Sequence, residues 1–251
     1  DTEIEGIDIM MCIDVSTSML AEDLKPNRLE AAKSVASDFI NGRENDNIGL
    51  TIFAGEAFTQ CPMTVDHAVL LNMFHNVDCY IAAEGIIEDG TAIGMGLANA
   101  ISRLKESQAK SKVIILLTDG SNNRGEISPL TAAEMAKTFG IRVYTIGVGT
   151  NGTAPYPVRT YAGTQYVNVA VDIDENVLRE IAQTANGQYY RATSNSKLAE
   201  VYEEIDKLER TKLQVKEFSK NEEEYQPFAL ALILLLLLSV ILKQTVLRTI
   251  P

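Results

Sequence analysis

The sequence has no tryptophan, only three cysteines and two histidines, and few prolines: seven in 251 residues. Cys12, Cys61 and Cys79 form an odd, sparse set without CxxC spacing, which excludes a disulfide framework and a thiolate zinc site. Cys12 lies in an apolar run and reads as a small buried hydrophobe. His67 and His75 do not stand at the i, i+4 spacing of a helical metal pair. Basic residues are also short: 22 Lys plus Arg against 34 Asp plus Glu, for a net charge of −12. Neutralising phosphates needs a basic face, so nucleic acid is not an expected partner. An acidic surface suits divalent cations or basic partners. With 46% hydrophobic and 22% charged residues the chain is expected to fold, and its length accommodates one large domain or two small ones.

One segment departs from a soluble composition. Residues Phe228 to Leu242 read FALALILLLLLSVIL without a charge. At about 1.5 Å per residue this run is roughly 22 Å long, short of a ~30 Å hydrocarbon core. Tyr225 can sit at one interface while Lys243 and Arg248 snorkel at the other. The run is apolar all round, so a single transmembrane helix over 227–243 is expected. It would follow a juxtamembrane linker (213–226) and precede a short tail (244–251). In the near flanks Lys243 and Arg248 outweigh Lys220, which favours a C-terminus in the cytoplasm and the preceding domain on the opposite side. Counting Arg210, Lys212 and Lys216 reverses that balance. The chain starts without Met and enters a strand almost at once, as a piece of a longer protein would.

Residues 1–212 alternate between strands and helices. IDIMMCI (Ile7–Ile13) and KVIILL (Lys112–Leu117) are continuous apolar runs, expected of central strands covered on both faces. IGLTIF, AFTQCPMT, IRVYTIGV and GQYYR read as further strands, with Pro62 suited to an edge. Helices are expected from Pro26, after Asp66 as cap, after Gly90-Thr91, from Ser128-Pro129, after Asp174, and through Leu198 to Leu208. Met10, Met11, Met95 and Met135 read as core filler. Thr150 to about Asp172 is a Gly/Pro/Thr-rich excursion. The pattern implies an α/β fold, a doubly wound, mostly parallel Rossmann-like sheet with helices on both faces. Ligands of such sheets bind beyond the carboxyl ends of the strands, where the strand order reverses.

Two strand ends carry polar groups. IDIMMCI runs into Asp14-Val15-Ser16-Thr17-Ser18, and KVIILL runs into Thr118-Asp119-Gly120-Ser121. In the order 3-2-1-4-5-6 these strands flank the switch point, so Asp14 and Asp119 are expected to face each other. Thr91, opening a helix, could point to the same crevice. Asp14, Ser16, Ser18, Thr91 and Asp119 offer hard oxygen donors only, which suits Mg²⁺ or Mn²⁺ rather than zinc. Ordinary turn and cap roles are the alternative. Glu88 and Asp89 read as a solvated acidic turn. GVGTNG at 147–152 matches GxGxxG, but TAPYPV follows it, and two prolines do not open a dinucleotide-binding helix.

IDVSTSM, GTAIGMGL and VIILLTDG resemble the metal-ion-dependent adhesion site of von Willebrand factor type A domains, over about Ile7 to Leu208. MLAEDLKPNRLEAAK, FAGEAFTQCPMT and YTIGVGTNGTAPYPV further resemble the Bat-type aerotolerance membrane proteins. The resemblance implies that Ser16, Ser18 and Thr91 contact the metal and that Asp14 and Asp119 hold it largely through water. It implies a non-enzymatic module that binds a partner's carboxylate. Its implied partners are other Bat proteins, including a second von Willebrand A protein and a tetratricopeptide-repeat protein, with a functional link to a MoxR-type AAA+ ATPase. The competing reading is a Mg²⁺-dependent phosphohydrolase of haloacid-dehalogenase type with Asp14 as nucleophile. Such enzymes want a second Asp where this chain has Ser16, and a phosphate-binding Lys for which there is no clear candidate.

Overall fold

The computed structural model describes residues 6–43, 45–150, 152–161, 163–171, 173–220, 232, 235 and 236. The chain divides into two compact units, Asp1–Asp206 and Lys207–Pro251. In the first, β1 (Asp8–Asp14), β2 (Asn47–Phe53), β4 (Lys112–Thr118), β5 (Arg142–Val148) and β8 (Tyr189–Ala192) run parallel, and β3 (Ala57–Thr64) pairs antiparallel with β2. The sheet order is β3-β2-β1-β4-β5-β8, which is the expected doubly wound arrangement. β1 and β4 are neighbours in register from Asp8↔Lys112 to Ile13↔Leu117, so their polar ends emerge side by side.

The central strands are buried because helices cover both faces. Met10, Met11, Cys12 and Ile13 on β1 and Ile114 to Leu117 on β4 are all fully buried. Each such Ile or Leu contributes on the order of 2 kcal/mol through removal of apolar surface from water. One face packs against α4 (Ile93–Leu104), α5 (Pro129–Thr138) and α6 (Glu175–Thr184) through Ile93, Leu97, Ile101, Ala132, Leu178 and Ile181. Gly96 lets α4 approach closely: a Cβ there would lie 2.8 Å from the Phe53 ring. α1 (Arg28–Asn41) and α2 (His67–His75) contact each other, and the short α3 (Tyr80–Ala83) follows.

Several helix starts follow the sequence reading. Asp66, Ser128 and Asp174 accept backbone N–H groups of Val69, Thr131 and Val177. α1 starts later than Pro26: Asn27 is the cap, accepting Glu30 N–H at 2.8 Å. Met135 is not core filler; it is exposed on the outer side of α5.

The excursion after β5 folds into a separate antiparallel hairpin, β6 (Thr153–Thr160) and β7 (Gly163–Ala170). Proline ordinarily demotes a strand, yet Pro155 and Pro157 both lie in β6. They occupy alternate positions, and the Pro155 carbonyl faces away from β7 to accept Glu22 N–H at 2.8 Å. Both imide nitrogens therefore sit on the edge that β7 does not use.

α7 (Asn195–Lys220) begins in the first unit, where Leu198, Val201, Tyr202 and Ile205 are buried. Its helical backbone continues past Lys212 to Lys220, where the sequence reading placed the start of the linker. Among the described residues, no helix is long and apolar enough to cross a membrane. The expected span over 227–243 lies outside the described residues apart from Leu232, Leu235 and Leu236, which are helical and exposed.

Candidate metal centre

Asp14 ends β1 and is fully buried. Its Oδ1 accepts the Ser16 N–H at 2.9 Å, which curls the chain back immediately after the strand. Its Oδ2 accepts the Thr118 hydroxyl from the end of β4 at 2.5 Å. The Ser16 and Ser18 hydroxyls are 2.9 Å apart, and Ser18 Oγ donates to Asp119 Oδ1 at 2.7 Å. One continuous polar chain thus joins the two strand ends. Ser18, Thr91 and Asp119 line a cleft of about 420 Å³; Asp14 and Ser16 are buried and connect to it through the hydrogen bonds that run to Ser18. The structure therefore brings Asp14, Ser16, Ser18, Thr91 and Asp119 together around these two strand ends.

The third loop is held by side-chain amides. Asn123 Oδ1 accepts the Thr91 N–H at 2.9 Å, and Asn122 Oδ1 accepts the Ile93 N–H at 2.8 Å. These satisfy donors at the start of α4 that a helix cannot satisfy itself. Asp89 is more than a solvated turn. It accepts the Thr17 N–H and hydroxyl, at 3.1 and 2.6 Å, and so joins the Thr91 loop to the serine loop.

The charges are tightly managed. Burial, followed by the nearby Asp119 charge, pushes the Asp14 carboxyl up to about 7, against the Ser16 and Thr118 hydrogen bonds. Burial also raises Asp119, opposed by the Arg28 guanidinium and the Ser18 hydroxyl. Arg28 Nη1 donates to Asp119 Oδ2 at 2.6 Å. The Arg28 Nε and Nη2 donate to both oxygens of Asp23, at 2.7 and 2.8 Å. Side-chain exposures of Arg28, Asp23 and Asp119 are 4%, 3% and 0%. Breaking a buried pair of this kind by removing one partner costs ~3–5 kcal/mol.

The donor set fits a hard divalent ion. It consists of carboxylates and hydroxyls, and two buried acids beside one guanidinium leave room for added positive charge. Among the described residues the Thr91 hydroxyl makes no hydrogen bond to the protein, although Thr91 is buried against the cleft. Gly120 keeps the space before it open: a Cβ there would stand 3.1 Å from Thr91 Oγ1. Among the described residues no three His, Cys, Asp or Glu side chains group as a metal cage. This centre would need only two carboxylates, with hydroxyls supplying the other protein donors.

Other sequence signals resolve as structure. Gly147 and Val148 end β5, and the next element is the strand β6 rather than a helix. His67 Nε2 sits 2.9 Å from the Asp46 carbonyl, away from the cleft. Cys12, Cys61 and Cys79 are free and buried, and burial pushes their thiols up. The sequence reading missed Arg28, Asp23, Asn122 and Asn123. Arg28 carried a signal, because an arginine in the first turn of a helix opposes the helix dipole and therefore needs acidic partners.

An uncharacterized protein of Borreliella burgdorferi is 31% identical over 247 residues, covering 98% of this chain and 71% of its own length. A UPF0353 protein of Nocardia farcinica is 30% identical, covering 79% of this chain, which spans 62% of it. Among solved structures, BatB from Bacteroides thetaiotaomicron is 33% identical at a TM-score of 0.69, covering 82% of this chain and 100% of that one. An aerotolerance-related membrane protein from Bacteroides fragilis is 32% identical at 0.68, covering 80% and 98%. Proximal thread matrix protein 1 from mussel byssus, solved with a zinc-occupied MIDAS motif, is 25% identical at 0.62, covering 81% and 46%. Residues 8–204 match the von Willebrand factor type A domain, and the chain belongs to that family.

Proposed function

We propose that this chain is a membrane-anchored, divalent-metal-dependent protein-binding module. Ser16, Ser18 and Thr91 would hold the ion directly, with Asp14 and Asp119 holding it largely through water. The observation that carries this reading is the Thr91 hydroxyl, unengaged and set over Gly120 in a cleft that Ser18 and Asp119 share. The zinc-occupied motif of the mussel protein supports a divalent ion, and the all-oxygen donor set favours Mg²⁺ or Mn²⁺. The ion supplies local positive charge on an acidic protein, so a partner's carboxylate can complete its shell. No catalytic residue and no organic cofactor belong to this reading.

The aerotolerance-related neighbours support a place among Bat-type envelope proteins. The domain would comprise 1–212, followed by a linker (213–226), an inner-membrane span (227–243) and a tail (244–251), with the domain in the periplasm. A MoxR-type AAA+ ATPase in the cytoplasm would then act without touching this face. The test is partner capture from native membranes by wild type and Thr91→Ala at matched expression, each with Mg²⁺ and with EDTA. Capture only by wild type with Mg²⁺ supports the proposal. The same partners in all four conditions would place the interaction surface elsewhere. Mg²⁺-dependent hydrolysis of an aryl phosphate, lost in Asp14→Asn, would instead favour the phosphohydrolase.

A further inference from the structure

The cleft has a wall that the strand-end residues do not provide: Tyr156 of β6 and Val169 and Ala170 of β7 line it with Val171. The hairpin is tied to the centre by one chain of polar contacts, buried at Arg28–Asp119 and part-buried beyond it. Asp119 Oδ2 is held by Arg28 Nη1, and Arg28 grips Asp23 with a two-toothed pair. Asp23 Oδ2 also accepts the Thr150 N–H at 2.7 Å and the Thr150 hydroxyl at 3.1 Å, just before β6 begins. Gly149, at φ +138°, leaves the space that the guanidinium fills; a Cβ there would come within 2.8 Å of Arg28 Nη2. Arg191 braces the same turn from β8, donating to the Gly149 and Thr150 carbonyls, both at 3.1 Å. A second tie runs from Glu22 N–H to the Pro155 carbonyl.

We infer that Arg28 and Asp23 are positioning residues that couple occupancy of the metal centre to the placement of the β6–β7 hairpin. This rests on the metal-centre reading. Arg28 engages one oxygen of Asp119, so the oxygen shared with Ser18 is the one left on the serine side of the centre. An ion drawing on that side fixes Asp119, and the planar guanidinium passes the constraint to Asp23 and Thr150. The hairpin wall is then ordered for a partner when the ion is present. A lysine keeps the charge but cannot bridge both carboxylates with a rigid fork.

The test uses the full chain in nanodiscs, with Mn²⁺ titrated calorimetrically and hairpin amide exchange followed with and without Mn²⁺. In wild type, Mn²⁺ should slow exchange across 153–170 on the order of fivefold. Asp23→Asn and Arg28→Lys should still bind Mn²⁺, while their hairpin exchange stops responding to it. A purely structural role would loosen the hairpin equally in both metal states. The inference is overturned if Mn²⁺ binds wild type without changing hairpin exchange, or if both folded variants respond as wild type does. Absence of Mn²⁺ binding to wild type overturns the metal-centre reading itself, and this coupling with it.

Discussion

Asn123 holds both backbone groups of Thr91, one through its side chain and one through its own N–H. The Thr91 N–H donates to Asn123 Oδ1 at 2.9 Å, and the Asn123 N–H donates to the Thr91 carbonyl at 3.0 Å. The loop after β4 thus fixes the start of α4, and with it the hydroxyl that faces the cleft. Replacing Asn123 by alanine removes one arm and leaves a part-buried donor at the helix start. Asn123→Ala is expected to destabilise the fold by about 1 kcal/mol. It should also weaken Mn²⁺ binding, because Thr91 is no longer held in place. Thermal unfolding and calorimetric titration on one sample check both effects.

The Asp23–Arg28 pair has a pH signature in metal-free protein. Burial opposes ionisation of Asp23, but hydrogen bonds from Arg28 and Thr150 outweigh it and hold the carboxyl down at about 2, against an ordinary 3.8. A carboxyl lowered in the folded state adds stability above its unfolded value and loses it as pH falls through the folded one. The stability gap between wild type and Asp23→Asn should therefore be full above about pH 4 and shrink toward pH 2. Melts in chelator across that range check this; a gap that stays constant contradicts the assignment.

The placement of the domain is open to chemistry in intact cells. A cysteine installed at Glu200, on an exposed position of α7, is expected to react with a membrane-impermeant maleimide when Cys12, Cys61 and Cys79 have been removed. Labelling only after lysis would put the domain in the cytoplasm.

Much of the fold was legible because the central strands are long apolar runs that end abruptly in polar residues. IDIMMCI and KVIILL fix both the parallel sheet and the place where chemistry must lie, since Asp14 and Asp119 follow them directly. The hairpin was not legible, because Pro155 and Pro157 argue against a strand unless both face an edge without a neighbouring strand. Arg28 drew no reading, because only the fold brings it to Asp119, 91 residues away, while also pairing it with Asp23, five residues before it. Asn122 and Asn123 drew no reading, and only the fold shows that their side chains accept N–H groups at the start of a helix from another loop.

The central claim is that the cleft binds a divalent ion through its hydroxyls. Calorimetric titration of Mg²⁺ and Mn²⁺ into the full chain, beside Thr91→Ala and Asp14→Ala, tests it most directly. Thr91 and Asp14 lie at element ends beyond the packed apolar core, so both variants should keep wild-type circular dichroism. The account predicts one ion per chain in wild type, with modest affinity because only two carboxylates contribute charge, and no binding in either variant. Titration curves for the folded variants that match wild type would contradict it.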